Sequence, residues 1–110
     1  MFSKKERLSK GKFDRFFRIG KRYHSDNFTL IYLPFGSIKS AVVVGKKVFK
    51  KAVDRNLLRR RVYSVLREVL AKQVETGVYL ILTKPTAAAL DFASIKAEIE
   101  GLVKSIGIKS

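Results

Sequence analysis

Residues 46–67, KKVFKKAVDRNLLRRRVYSVLR, decide how this chain is interpreted. They hold nine Lys and Arg against a single acid, Asp54. Apolar residues recur at helical spacing through the second half of the stretch and just beyond it, namely at Leu58, Val62, Val65, Leu66 and Val69. This period predicts a helix from Asp54, as N-cap or in the first turn, to about Gln73. Like charges on one helix repel, so the stretch indicates a polyanionic partner, with nucleic acid as the leading candidate.

The net charge of +15 belongs entirely to the first part of the chain. Residues 1–67 hold 19 basic and 4 acidic residues, whereas residues 68–110 hold five of each. This asymmetry predicts one electropositive surface. The 46% apolar content is enough for a core, so we expect a single RNA-binding domain over residues 1–110. The chain has no cysteine, no signal-peptide pattern and no apolar run of roughly 20 residues, which predicts a cytoplasmic protein without a membrane partner.

The remaining elements follow from apolar runs and from Gly and Pro. A short helix is expected from Ser9 or Gly11 to about Ile19, where Gly20 would end it. Strands are predicted at residues 28–33 and 78–83, with a shorter one around Tyr23. The apolar run at residues 40–45 predicts a strand buried on both faces.

A last helix begins at Asp91 as its cap. Its apolar residues are expected inside: Phe92, Ile95, Ile99, Leu102 and Val103. The resulting order of helix, two or three strands, helix, strand, helix predicts an α/β fold of the α+β sandwich type, with the sheet covered mainly on one side.

Catalytic groups are not evident on this chain. Two-metal hydrolysis of a phosphodiester needs clustered carboxylates, but the four acids of residues 1–67 are isolated from one another in the sequence. The only histidine, His24, has no acid at ligand spacing. We therefore predict no catalytic residue, no metal site and no cofactor on the protein itself.

Aromatic residues near the N-terminus allow two interpretations. Phe13 and Phe17 are spaced i,i+4 and are flanked by Lys10, Lys12, Arg15 and Arg18. Aromatic side chains beside cations form stacking platforms for unpaired bases. The other interpretation is that these rings belong to the core, which is the expectation for Phe16 and Phe28. The sequence leaves both open for Phe13 and Phe17.

The basic helix also allows a second interpretation, a solvated face of long side chains. We favour RNA binding, because Asn56, Arg60 and Arg67 fall near one line while Arg55, Arg59 and Arg61 spread to either side.

The basic stretch resembles the signature of the protein subunit of bacterial ribonuclease P. The matching residues are Lys46-Lys47, Ala52-Val53, Arg55-Asn56, Arg59-Arg60 and Arg67, with support from Arg7-Leu8, Phe13, Phe17, Gly20-Lys21-Arg22, Phe28 and Pro85. The resemblance implies an α-β-β-β-α-β-α fold in which a left-handed crossover places the Arg-rich helix between two parallel strands, a rare arrangement.

The resemblance also implies a function. The subunit would bind the catalytic RNA and the 5′ leader of precursor tRNA, while the RNA, with magnesium ions, hydrolyses the bond that releases the mature 5′ end. The implied RNA-binding residues are Lys46, Lys47, Lys51, Arg55, Asn56, Arg59, Arg60 and Arg67. The implied leader cleft comprises Phe13, Phe17, Ile31 and Lys47. The alternative is a ribosomal or RNA-chaperone module, which the basic half alone would fit equally well.

Four positions depart from the family pattern. Leu57 and Tyr63 stand where basic residues are common, and Gly45 stands where a Ser often precedes the Lys pair. Ile31 replaces a usual Tyr, with Tyr32 shifted onto the opposite face of the strand. The implied leader cleft therefore lacks one stacking partner.

Overall fold

The computed structural model describes Arg15, residues 17–72 and residues 76–108, with side chains up to residue 106. Its strands are β1 (Lys21–His24), β2 (Phe28–Pro34), β3 (Lys39–Val43) and β4 (Gly77–Thr83). The helices are α1 (Ala52–Leu70), a 3-10 helix (Pro85–Ala89) and α2 (Phe92–Ile108). Arg15 and residues 17–19 are also helical, and the rest of the predicted first helix, with Phe13 and Phe16, lies outside the described residues. From β1 onward, the order of strands and α-helices confirms the sequence prediction, whereas the 3-10 helix was not predicted.

The four strands form one sheet in the order β1-β2-β4-β3. β1 and β4 each pair with β2 in antiparallel fashion, while β3 and β4 are parallel. Because α1 connects these two parallel neighbours, β3, α1 and β4 form a βαβ unit. The left-handedness of this crossover stays a prediction.

The sheet has two unequal faces. The first face packs against α1 and α2, and it contributes Leu30, Tyr32, Val42, Tyr79 and Ile81 to the main core. The second face carries a smaller cluster of Ile31, Val78 and Leu80, with Phe17, Leu33, Ala41 and Leu82 packed around it. The alternation of side chains along each strand produces this division. The prediction of a sheet covered mainly on one side is confirmed.

β3 differs from its prediction. It was expected to be buried on both faces, but it is an edge strand of the described sheet, and its burial alternates. Ser40 and Val42 are buried against the helices, whereas Val43 on the second face is 38% exposed. An edge strand has a neighbouring strand on one side only, so Val43 is less covered than the second-face residues of the central strands.

The start of α2 confirms one prediction and corrects another. Asp91 caps the helix, because its Oδ1 accepts a hydrogen bond from the Ser94 backbone N–H at 2.8 Å. This hydrogen bonding with Ser94 lowers the pKa of the Asp91 carboxyl. Phe92, expected inside, is 46% exposed, since it lies in the first turn, ahead of the buried stripe that begins at Ile95.

The loop between β1 and β2 is fastened to α2 by one carboxylate. Glu98 accepts hydrogen bonds from the Ser25 hydroxyl, from the Asn27 backbone N–H at 2.7 Å and from Asn27 Nδ2 at 2.8 Å. Lys84 Nζ donates to the Ser25 carbonyl at 2.6 Å. Partial burial acts to raise the pKa of Glu98, but the hydrogen bonds together hold it below its ordinary value.

Candidate nucleic-acid interface

Most of the segment between β3 and α1, residues 45–51, presents four lysines to solvent, and we call these residues the basic loop. It contains a turn in which the Val48 N–H donates to the Gly45 carbonyl at 3.1 Å. Val48 and Phe49 pack partly buried against the main core. The lysines before and after this apolar pair are exposed: Lys46, Lys47, Lys50 and Lys51. The pattern KKVFKK therefore anchors the loop at its centre and leaves its cations outside.

Arg55 braces the basic loop from the first turn of α1. Its Nη1 donates to the carbonyls of Phe49 at 3.0 Å and Lys50 at 2.7 Å. The sequence indicated an RNA contact here, and the structure adds an internal role that neither periodicity nor charge could reveal. A guanidinium has five N–H donors in a rigid fork, so bracing the loop does not exhaust its capacity.

The outer side of α1 carries the predicted cations. Asn56, Arg60, Arg61 and Arg67 are exposed, and Arg59 is partly exposed. Arg59 Nη1 donates to Asn56 Oδ1 at 2.5 Å, which restrains the Asn56 amide. The opposite side of the helix is buried: Leu58, Val62, Tyr63, Val65, Leu66 and Leu70. The predicted apolar stripe is confirmed, with Val69 only partly buried at its edge.

Three of the departures from the family pattern can now be located. Leu57 is 41% exposed, so a basic side chain is missing from the outer part of α1 there. Tyr63 is buried in the main core, so that departure removes no cation from the surface. A Cβ built on Gly45 would meet no atom within 4 Å, so the Ser of the family pattern would fit there.

The second face of the sheet carries the described part of the predicted leader cleft. Phe17 packs partly buried against its apolar cluster. Ile31 is 1% exposed and belongs to that cluster, so it lies in the buried floor beneath the surface. Tyr32 lies on the first face, as the sequence indicated, where its hydroxyl donates to the Thr76 carbonyl at 2.8 Å. Lys47 is exposed in the basic loop that follows β3.

Arg22 lies at this site, although the sequence-based prediction of the cleft did not include it. Arg22 stands on β1 with its guanidinium carbon 4.9 Å from the centroid of the Phe17 ring, and its Nη2 donates to the Phe17 carbonyl at 3.0 Å. The signal that could have found it is the basic dipeptide Lys21-Arg22 directly after the aromatic helix. In an alternating strand, one of two consecutive residues must point to the same face as the cleft.

His24 Nδ1 lies 3.1 Å from Thr29 Oγ1 on the neighbouring strand. Within the parts of the chain that the structure describes, no group of three or more His, Cys, Asp or Glu could hold a metal ion. In the same residues, no helix is both long enough and apolar enough to cross a membrane.

Comparison with known proteins agrees with this geometry. The sequence model of the family described as ribonuclease P matches residues 2–107. This chain belongs to the ribonuclease P protein family. The ribonuclease P protein component of Microcystis aeruginosa is 31% identical over 102 residues, covering 87% of this chain and 85% of the relative. That of Nitratiruptor sp. is 31% identical over 98 residues, covering 89% and 88%.

Solved structures show the same fold. The ribonuclease P protein of Thermotoga maritima superposes with a TM-score of 0.80 at 22% identity, over 91% of this chain and 96% of that one. A mutant ribonuclease P protein of Staphylococcus aureus gives 0.83 at 18% identity, over 94% and 90%. At such identities the similarity concerns the fold, and the family assignment rests on sequence.

Proposed function

We propose that this chain is the protein subunit of a cytoplasmic ribonuclease P ribonucleoprotein that matures the 5′ ends of precursor tRNA. In this proposal α1 and the basic loop bind the catalytic RNA, and the second face of the sheet receives the 5′ leader. Family membership carries the function. The side-chain assignments rest on charge, exposure and position.

The outer side of α1 and the basic loop suit the phosphates of a folded RNA. Exposed guanidinium and ammonium groups extend along the loop and helix with only Asp54 among them from residue 46 to residue 67. Neutralising phosphates releases counterions, which drives binding without a sequence requirement. The residues proposed for this contact are Lys46, Lys47, Lys51, Arg55, Asn56, Arg59, Arg60 and Arg67.

The second face of the sheet suits a single strand. Its buried cluster of Ile31, Val78 and Leu80 supports the partly exposed Phe17 ring. An aromatic ring of this kind stacks with unpaired bases irrespective of their identity. Such tolerance is what a subunit needs if it accepts many different leaders. Phe13, Phe17, Ile31 and Lys47 remain the proposed cleft residues, with Ile31 in the floor and Phe13 outside the described residues.

The bond-breaking chemistry is proposed to belong to the RNA and to magnesium ions bound in the holoenzyme. The acids of the described basic half, Asp26 and Asp54, lie in different parts of the fold. The protein would act by binding and positioning both RNAs, which lowers the entropic cost of bringing the leader junction to the reacting groups.

Reconstitution with the cognate catalytic RNA tests the proposal. At limiting magnesium, the wild-type chain should accelerate release of the 5′ leader from a precursor tRNA, and the Arg59→Ala/Arg60→Ala variant should need a higher protein concentration to do so. Lys72→Ala/Lys104→Ala removes the same number of charges, one just after α1 and one on α2 beside the C-terminal end of α1, and is the matched control. No acceleration by folded wild-type protein would reject the proposal.

The alternative, a ribosomal or RNA-chaperone module, predicts a different partner. RNA recovered with the native complex should be dominated by one non-ribosomal species if the chain is a ribonuclease P subunit. Predominantly ribosomal RNA would favour the alternative.

A further inference from the structure

Arg22 forms a composite surface with Phe17 on the second face of the sheet. Its guanidinium carbon is 4.9 Å from the ring centroid, and its Nη2 bonds to the carbonyl of the same residue at 3.0 Å. The two interactions restrain both the ring and the backbone at the end of the short helix. A planar guanidinium held in this way loses less freedom on meeting a ligand than an unrestrained lysine would.

The strand register places Arg22 beside the proposed cleft. Arg22 is the cross-strand partner of Ile31, Ile31 pairs with Leu80, and Leu80 pairs with Ala41. Direct partners point to the same face of a sheet. These four residues therefore form a row across the second face, in which Arg22 is the charged end at the β1 edge and the other three are apolar.

The chemistry of Arg22 and the Phe17 ring fits one nucleotide of a single strand, while the buried Ile31 and Leu80 support the ring. Arg22 is exposed, and one of its five N–H donors serves the Phe17 carbonyl. A guanidinium plane stacks on bases, and its edge donates to phosphate oxygens. A base stacked on the guanidinium would extend the pair that Arg22 forms with Phe17, and the remaining N–H donors are the groups that would meet its phosphate.

We infer that Arg22 is a specificity-determining contact for the 5′ leader, which stacks a leader base together with Phe17 and donates to the adjoining phosphate. This inference rests on the proposed function of the second face as the leader site. It assigns to β1 a role in distinguishing precursor tRNA from mature tRNA. The contact recognises single-stranded nucleic acid and not a particular base.

The test measures leader discrimination, defined as the ratio of the dissociation constants of the reconstituted holoenzyme for mature tRNA and for precursor tRNA with a leader of several nucleotides. Arg22→Ala should lower this ratio about two- to fivefold, the equivalent of roughly 0.5–1 kcal/mol. Arg22→Lys should restore only part of it, because lysine keeps the charge without the plane. The log–log slope of the discrimination ratio against salt concentration should become shallower by about 0.7, because one single-strand phosphate is no longer neutralised.

Lys21 provides the matched control. It is exposed on the same strand, but it pairs with Tyr32 and so belongs to the first face, where its ammonium lies 5.7 Å from the Tyr23 ring centroid. Lys21→Ala removes the same charge one residue away and should leave discrimination unchanged. In a Phe17→Ala background, Arg22→Ala should lower the discrimination ratio by a smaller factor than it does alone, since the stacking ring is already missing.

The outcomes separate this inference from the proposed cleft. If Phe17→Ala lowers discrimination while Arg22→Ala behaves like Lys21→Ala, the inference is overturned and the cleft stands. If Arg22→Ala weakens binding of both tRNAs equally at matched folded fraction, Arg22 has only a structural role and the inference is again overturned. If Phe17→Ala leaves discrimination intact, the cleft assignment fails and the inference fails with it.

Discussion

Among the described glycines at positions 36, 45, 77 and 101, only Gly77, the first residue of β4, has atoms within 4 Å of an added Cβ. Its φ of 158° is uncommon for residues with a side chain, and an added Cβ would overlap Tyr32 Cε1 and lie 2.8 Å from the Leu33 carbonyl oxygen. Tyr32 cannot easily move away, because it is buried, lies against Tyr79 with a centroid distance of 5.1 Å and donates its hydroxyl to Thr76.

We expect Gly77→Ala to lower the free energy of unfolding by about 1–3 kcal/mol through overpacking. Gly101→Ala is the matched control, since an added Cβ there meets nothing within 4 Å. It replaces an exposed glycine inside α2 and should raise the free energy of unfolding by roughly 0.5–1 kcal/mol. Urea unfolding of both variants checks the pair, and equal midpoints would contradict the packing at Gly77.

Glu98 should make stability depend on pH. Its pKa is lowered in the folded protein, so the unfolded chain takes up a proton more readily at that site. The contribution of Glu98 is therefore complete above its ordinary pKa and is lost as the pH falls through the lowered folded value. Glu98→Gln should reduce stability near neutral pH by about 1–3 kcal/mol, as expected when hydrogen bonds to a charged group are removed.

The corresponding measurement is the free energy of unfolding at several pH values between neutral and acid. The difference between wild type and Glu98→Gln should shrink as the pH is lowered. Glu100→Gln, two residues along α2, removes a charge without disturbing the loop clamp and serves as the control. A difference that is constant with pH would contradict the role given to the carboxylate.

At the level of elements, α1 should supply the electrostatic part of catalytic-RNA binding. Arg59→Ala/Arg60→Ala should make the log–log dependence of the dissociation constant on salt shallower, by roughly 0.7–0.9 for each phosphate that is no longer neutralised. Thermal stability should change little, because both side chains extend to the outer side of the helix. The control Lys72→Ala/Lys104→Ala should keep the wild-type slope, and an unchanged slope in the arginine variant would reject α1 as the RNA-binding element.

The elements themselves were largely predictable from the sequence. The strands around Phe28 and Tyr79 and the helix containing Leu58 and Val62 are set by local periodicity, which the sequence displays directly. The edge position of β3 was not predictable in this way, because strand order depends on pairing between distant segments.

At the proposed RNA sites, some contacts were not predictable from the sequence for the same physical reason as the edge position of β3. Lys46 and Arg60 could be identified as exposed cations from charge and helical phase. The bracing of the basic loop by Arg55 and the contact of Arg22 with Phe17 could not be identified, since each depends on where a second segment lies. The handedness of the crossover rests on family resemblance alone.

For the whole molecule, the central claim is that two surfaces bind two RNAs. The sheet separates them: its first face packs against α1, whose outer side is basic, and its second face carries the cluster around Phe17 and Ile31. A substitution on the second face should therefore weaken binding of the leader and leave binding of the catalytic RNA unchanged. Phe17 decides this most sharply, because a partly buried ring can stack on a base or pack in the core, and the two roles predict different results.

The most direct test is the affinity of the reconstituted holoenzyme for precursor tRNA and for leaderless tRNA, with wild-type protein and with Phe17→Ala at matched folded fraction. Phe17→Ala removes the ring on which one leader base stacks, so precursor binding should weaken by roughly 1–3 kcal/mol. Leaderless tRNA and the catalytic RNA should bind as before. Equal weakening for both tRNAs, together with a drop in stability of about 3–5 kcal/mol typical of a buried Phe→Ala change, would contradict the account.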